Sequence, residues 1–130
     1  MARDVEAQLN YIESLISSVD SQIDTLNKAM IEVQNTIDLL SNSDLEKSPE
    51  KLISIGSGLF AKGSISIDQD LIVPIGSGIY VAENRERSIE RLKKNLDDIK
   101  ASMQKLLDQR KTLVDQYNTV YATEATRNVK

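Results

Sequence analysis

From Val5 the apolar residues advance in alternating steps of four and three: Val5, Leu9, Ile12, Ile16, Val19, Ile23, Leu26, Met30, Val33, Ile37 and Leu40. A mean step of about 3.5 residues keeps one narrow stripe facing a partner helix, which is the seam of a left-handed coiled coil. No Gly or Pro interrupts it. At about 1.5 Å per residue the stripe is roughly 54 Å long, and it asks for another helix rather than a sheet. A second seam reads Ile89, Leu92, Leu96, Ile99, Met103, Leu106, Arg110, Leu113, Tyr117 and Val120, broken only by Arg110. Asn84 or Ser88 can cap its start. Past Val120 the seam places fall to Glu124 and Arg127, so "TEATRNVK" reads as a frayed tail.

The two seams flank a segment of about 40 residues, and the chain of 130 residues has the length of a single domain. A chain that folds back would pair the two helices antiparallel; the alternative is pairing between chains. Charge favours the first. Between residues 4 and 40 the first helix carries seven acidic residues against Lys28 alone, while the second is the more basic. Each exposed pair is worth well under ~1 kcal/mol.

Composition narrows the function. Aromatic residues are 4% of the chain, with no Trp and only Phe60, a poor stock for a compact core. There is no Cys and no His, which removes thiol chemistry, the commonest general base and the commonest metal ligand. Carboxylates and lysines lie scattered along exposed helix faces, so we expect no enzyme, no cofactor and no metal. A net charge of −4 argues against a nucleic-acid partner, which needs a basic surface. The start, "MARDVEAQLN", has no apolar run, so no signal peptide is expected. No stretch approaches the roughly 18 apolar residues of a membrane span. The expected location is the cytoplasm.

Between the helices, Ile-Gly-Ser-Gly occurs twice, at Ile55 and at Ile75. Neither copy is a phosphate loop. In Gly58-Leu59-Phe60-Ala61-Lys62-Gly63-Ser64 the lysine precedes the second glycine, whereas a Walker loop needs it after. Gly56-Ser57-Gly58-Leu59-Phe60-Ala61 fits the letters of a dinucleotide loop, but "KGSISIDQD" follows it, with strand-like alternation rather than a helix. The spacing predicts four strands, over about 52–55, 59–67, 71–75 and 79–82, as two β-hairpins. Gly56, Gly58, Gly76 and Gly78 shape their turns. Pro74 needs an edge or a bulge. Leu52, Ile53, Ile55, Leu59, Phe60, Ile65, Ile67, Leu71, Val73, Ile75, Ile79 and Val81 give these strands an apolar surface they cannot bury alone, so the segment is expected to drive oligomerisation.

A long helix, two β-hairpins with Gly-rich turns, and a second long helix resemble the α-class subunits of prefoldin. "LISIGSGLFAKGSI" and "LIVPIGSGIYVAE" carry the likeness, and Ser54 is a departure where the second motif has Pro74. The simple termini look archaeal. The resemblance implies a mainly α fold: an antiparallel coiled coil over about 4–45 and 84–123 with two central β-hairpins over about 51–83. It implies a hexamer with four β-class subunits to two α-class ones, acting as an ATP-independent chaperone. Such a complex holds unfolded client proteins at the coiled-coil tips and passes them to a group II chaperonin. A structural protein that forms filaments through the β segment is the alternative.

The seams also suggest where clients bind. With Ile89, Leu96, Met103, Arg110 and Tyr117 at a places, the flanking e places are Lys93, Lys100, Leu107, Val114 and Tyr121. In the first helix Leu15 flanks the seam and Tyr11 lies outside it. An antiparallel pairing sets Leu15 near the level of Val114, and Tyr11 near that of Tyr117 or Tyr121. Apolar flanks beyond a seam mark an interaction site, so Tyr11, Leu15, Leu107, Val114, Tyr117 and Tyr121 are the candidate client-binding residues.

Overall fold

A computed structural model describes residues 2–42 and 50–128. Helix α1 spans Ala2–Ser41. Strands β1 (Lys51–Gly56) and β2 (Leu59–Gly63) form one antiparallel β-hairpin, and β3 (Leu71–Gly76) and β4 (Ile79–Glu83) form another. Helix α2 spans Arg85–Asn128. The fold is mainly helical with two small β-hairpins, as the sequence predicts.

The seams explain the helices. Every seam residue of α1 and of α2, Arg110 included, is buried or half-buried, while the residues between are mostly solvated. The chain divides into two compact units, Met1–Ile31 with Asp97–Lys130, and Glu32–Leu96. In the first unit Ile12, Val19 and Leu113 form a buried cluster, with Leu15, Ile16, Ile23, Leu106, Tyr117 and Val120 against it. The helical stretches run antiparallel within one chain: Asp20 meets Arg110, and seven residues back along α1 Glu13 meets Tyr117. In the second unit Leu40 and Ile67 are buried together under Leu71, Ile89 and Leu92.

Two boundaries differ from the sequence reading. Helix α2 continues to Asn128 instead of fraying from Thr123. Its last turns hold good helix formers, Ala122, Glu124 and Ala125, so local propensity sustains a helix after the seam has ended. Thr123 and Thr126 also donate their hydroxyls to the carbonyls of Thr119 and Ala122. Strand β2 stops at Gly63, not Ile67, because Lys51, the first residue of β1, is the partner of Gly63. Further along, Ile67 turns into the core at 2% exposure. Helix α1 ends at Ser41; the expected extension toward residue 45 lies outside the described residues.

The cap of α2 is Asn84, whose Oδ1 accepts the Arg87 N–H at 2.8 Å. Ser88 is buried and does another job: its hydroxyl donates to Glu83 Oε1 at 2.6 Å.

Candidate functional site

Each β-hairpin closes on a two-residue loop. The central residues have positive φ, 55° and 78° at Ser57 and Gly58, 52° and 75° at Ser77 and Gly78. Positive φ at both places is the signature of the type I′ turn, whose twist matches that of paired strands. Gly56 and Gly76, which open the turns, reach φ of 105° and 110°, a region that side chains avoid. A Cβ at either would meet nothing within 4 Å, so the need for glycine is entirely one of backbone conformation. In both β-hairpins the register slips just before the turn, between Ser54 and Gly56 and between Pro74 and Gly76. The same bulge thus follows Ser54 in one β-hairpin and Pro74 in the other.

The strands leave most of their apolar side chains in water. Of fifteen large exposed apolar residues among those described, ten lie between Leu52 and Val81. Leu52, Ile55, Leu59, Phe60, Ile75 and Ile79, all proposed from sequence as assembly residues, are more than half exposed; Ile65 and Val81 are at 44% and 40%. Ile72 and Tyr80, which the sequence reading left out, belong with them. No alternation argument excluded these two, since the sequence reading took adjacent residues elsewhere, Leu52 with Ile53 and Leu59 with Phe60. Three expected assembly residues serve the chain's own core instead. Ile67 is buried against Leu40, Leu71 packs on that cluster, and Val73 is buried. Ile53 is half-buried, its Cδ1 lying 2.8 Å from where a Gly63 Cβ would stand.

A polar junction holds the second unit together, and sequence reasoning missed it. Arg85 Nε donates to the Leu40 carbonyl at 2.6 Å, and its guanidinium lies 3.8 Å from Asp68. One cation thus satisfies a free carbonyl at the C-terminal end of α1 and tethers the turn between the β-hairpins. The Glu83 carboxylate accepts from Ser88 and from Arg91, whose Nε is 3.2 and 3.3 Å from its two oxygens. The Ser88 hydrogen bond holds this carboxyl below its ordinary value, against some desolvation, and Arg91 and Arg87 add to the effect. A change of period at Glu83 and Arg85, where a strand gives way to a helix within two residues, was the available signal.

In the first unit the candidate client-binding residues fall into two groups. Tyr11 and Leu15 line a groove with Gln8, Ile12, Thr112, Asp115, Gln116, Thr119 and Val120. Leu107, Val114 and Tyr121 follow one another at helical intervals along the other flank of the α2 seam. Leu15 and Val114 are therefore at similar levels but on opposite sides of the coil. Tyr117 is half-buried within the apolar cluster, and its ring stacks on Tyr121 at 6.4 Å between centroids. Its hydroxyl donates to Glu13 Oε1 at 3.1 Å. That bond raises the phenol above its ordinary value of 10, with desolvation and the charges of Glu13 and Tyr121 adding. Arg110, the lone charged seam residue, donates from Nε to Asp20 Oδ1 at 2.6 Å. Tyr11 and Tyr121 are 65% and 60% exposed.

Among the described residues no group of three or more His, Cys, Asp or Glu side chains could hold a metal ion, and no helix is long and apolar enough to cross a membrane. Paired helical stretches with satisfied seams, joined to β-hairpins with unsatisfied apolar strands, define a coiled-coil assembly subunit. A family model described as prefoldin subunit matches residues 12–130. The chain is 91% identical to prefoldin subunit alpha of Thermoplasma acidophilum over 130 residues, the full length of both, and 68% identical over the same span to that of Thermoplasma volcanium. A solved chain of filamentous PFD from Methanocaldococcus jannaschii shares the fold, with a TM-score of 0.51 at 20% identity, covering 98% of this chain and 95% of that one. The chain belongs to the prefoldin family.

Proposed function

We propose that this chain is the α-class component of a cytoplasmic hetero-hexamer in which two copies join four β-class subunits. The complex is an ATP-independent chaperone: it binds non-native proteins on the flanks of its helical stretches and hands them to a group II chaperonin. The observation that carries this reading is the division of exposed apolar surface. The seams are satisfied within the chain, yet ten large apolar side chains stand open on and beside the β-hairpins, enough to require neighbours. A smaller apolar set, Tyr11, Ile31, Leu39, Leu107 and Tyr121, stands open on the helices, and within it Tyr11, Leu107 and Tyr121 are suited to weak, adaptable and multivalent capture. The near-identity to proteins named prefoldin subunit alpha supports the assignment of class.

The test is light scattering of a chemically denatured client diluted into buffer with and without the complex, obtained by co-expression with a β-class subunit. The expected result is suppression of aggregation at stoichiometric complex without nucleotide. A mass other than that of the two-to-four hexamer, or no suppression, would overturn the proposal. A second reading is favoured by the filamentous state of the Methanocaldococcus jannaschii neighbour: the same β-hairpins could build a filament from copies of this chain. Electron microscopy of the chain alone separates the two, because a filament without any partner subunit supports only the second.

A further inference from the structure

The end of β4 and the first turns of α2 are fastened to each other by one carboxylate. Glu83 is the last residue of β4, Asn84 caps the helix, and α2 begins at Arg85. The Glu83 side chain accepts from Ser88, five residues on, at 2.6 Å. It also accepts from Arg91, eight residues on, at 3.2 and 3.3 Å. These contacts leave it 13% exposed, and Ser88 is 2% exposed. Alanine would suit a helix better, and a buried hydroxyl costs stability unless it is bonded. The serine is therefore explained by the carboxylate it serves and not by the helix it stands in.

The first β-hairpin has nothing equivalent at this place. Glu83 stands opposite Leu71, and twenty residues earlier Gly63 stands opposite Lys51; glycine has no side chain to send to a helix. Apolar packing also reaches the joint. Leu71 of β3 and Ile89 and Leu92 of α2 all pack on the Leu40–Ile67 cluster. Such packing is non-directional, whereas a hydrogen bond weakens steeply as it bends. The packing holds strand and helix together, and the bonds to Glu83 set the angle between them.

We propose that Glu83 is a positioning residue for client holding: with Ser88 it locks the direction in which α2 leaves the second β-hairpin, and that direction sets the span between the coils of an assembled complex. This deepens the chaperone reading and rests on it. Glu83 itself touches no client. Coils held at a fixed angle keep a fixed span, and several weak grips add up only when geometry lets them engage together. A long client needs several coils at once and depends on the span. A short one is held by few coils and does not.

Glu83→Ala and Ser88→Ala open the lock from either side. Ile37→Val, which thins the buried seam and leaves the joint alone, controls for lost stability. The chain has no Cys, so Ser77→Cys with Lys94→Cys places one spin label on the second β-hairpin and one on α2, both at exposed positions. Pulsed electron resonance measures the label distance in the complex with a cysteine-free β-class prefoldin subunit. Light scattering follows two denatured clients, lysozyme as the short one and citrate synthase as the long one. Both alanine variants are expected to widen the distance distribution. They should need about tenfold more complex to hold the long client, with the short client held as before, and Ile37→Val should change neither. A parental distribution in the alanine variants, equal losses for the two clients, or the same effects from Ile37→Val overturns the proposal and leaves the chaperone reading standing. Should the alanine variants fail to assemble, the label distance in the chain alone decides: a wider distribution supports the lock, and a parental one overturns it. An unaltered complex that holds neither client defeats the chaperone reading and the proposal with it.

Discussion

Ser57 and Ser77 hold a left-handed backbone at φ of 55° and 52°, where a non-glycine residue costs roughly 1 kcal/mol. Asn tolerates that conformation better. Changing both serines to Asn is expected to raise the stability of each β-hairpin by about 0.5 kcal/mol, seen as a higher midpoint in thermal melts. Gly58→Val, at φ of 78°, should do the reverse by about 2 kcal/mol, and unchanged midpoints in both experiments would remove the type I′ assignment. Glu83 makes a second prediction. Its folded-state value lies below the ordinary 4.5, so its contribution is fully present above pH 4.5 and fades as the pH falls through the lowered value. Melts between pH 6 and pH 2.5 should show an acid loss that Glu83→Gln flattens. The Tyr117 phenol is shifted the other way: its contribution is present below pH 10 and fades above it, which the phenolate absorbance can follow. At this scale the sequence was least informative. The glycines announced the turns, but a serine's letter says nothing of its φ, and Arg85 looked like one more solvated cation.

The elements were far more legible, because a seam of alternating fours and threes has few physical solutions. Both helices and both β-hairpins follow from spacing and turn chemistry, while the antiparallel pairing was favoured by charge. The boundaries did not follow, since they depend on what an element meets: β2 ends where β1 supplies no further partner, and α2 outlasts its seam on propensity. The division of the candidate client-binding residues between two flanks was not legible, because one-dimensional levels do not say which flank of a coil a residue occupies. Arg85 carries the prediction for the junction. Arg85→Ala removes a charged donor from the Leu40 carbonyl, and a cost of about 2 kcal/mol is expected, with faster amide exchange in the last turn of α1. Retained exchange protection there would show that water replaces the guanidinium at no loss. On the flanks, Leu107, Val114 and Tyr121 changed together to Gln should spare assembly and weaken client holding. Tyr11 and Leu15 changed to Gln should weaken it independently, because the groove they line is on the other side. A client-holding assay in which neither set differs from the parent would dismiss both flanks.

At the scale of the whole molecule, the chain is a set of surfaces waiting for other polypeptides. Its seams are closed, its β-hairpins are open, and the ten exposed apolar residues on and beside those β-hairpins make the isolated chain prone to associate. Size-exclusion chromatography of the chain alone should therefore show concentration-dependent elution that co-expression with a β-class subunit abolishes. Elution as a monomer at every concentration would mean that the open strands need no cover. The two polar contacts between the helical stretches have a consequence for how this architecture can change. Asp20 with Arg110 and Glu13 with Tyr117 are one heptad apart on both helices. Loss or gain of residues in one helix alone shifts one member of each contact past the other. Matched removal of seven residues from each, 21–27 and 103–109, leaves both contacts and the seam phase intact. Coil length can thus vary only in whole paired modules, a quantised inheritance in which one reading frame of packing is copied twice in opposite directions.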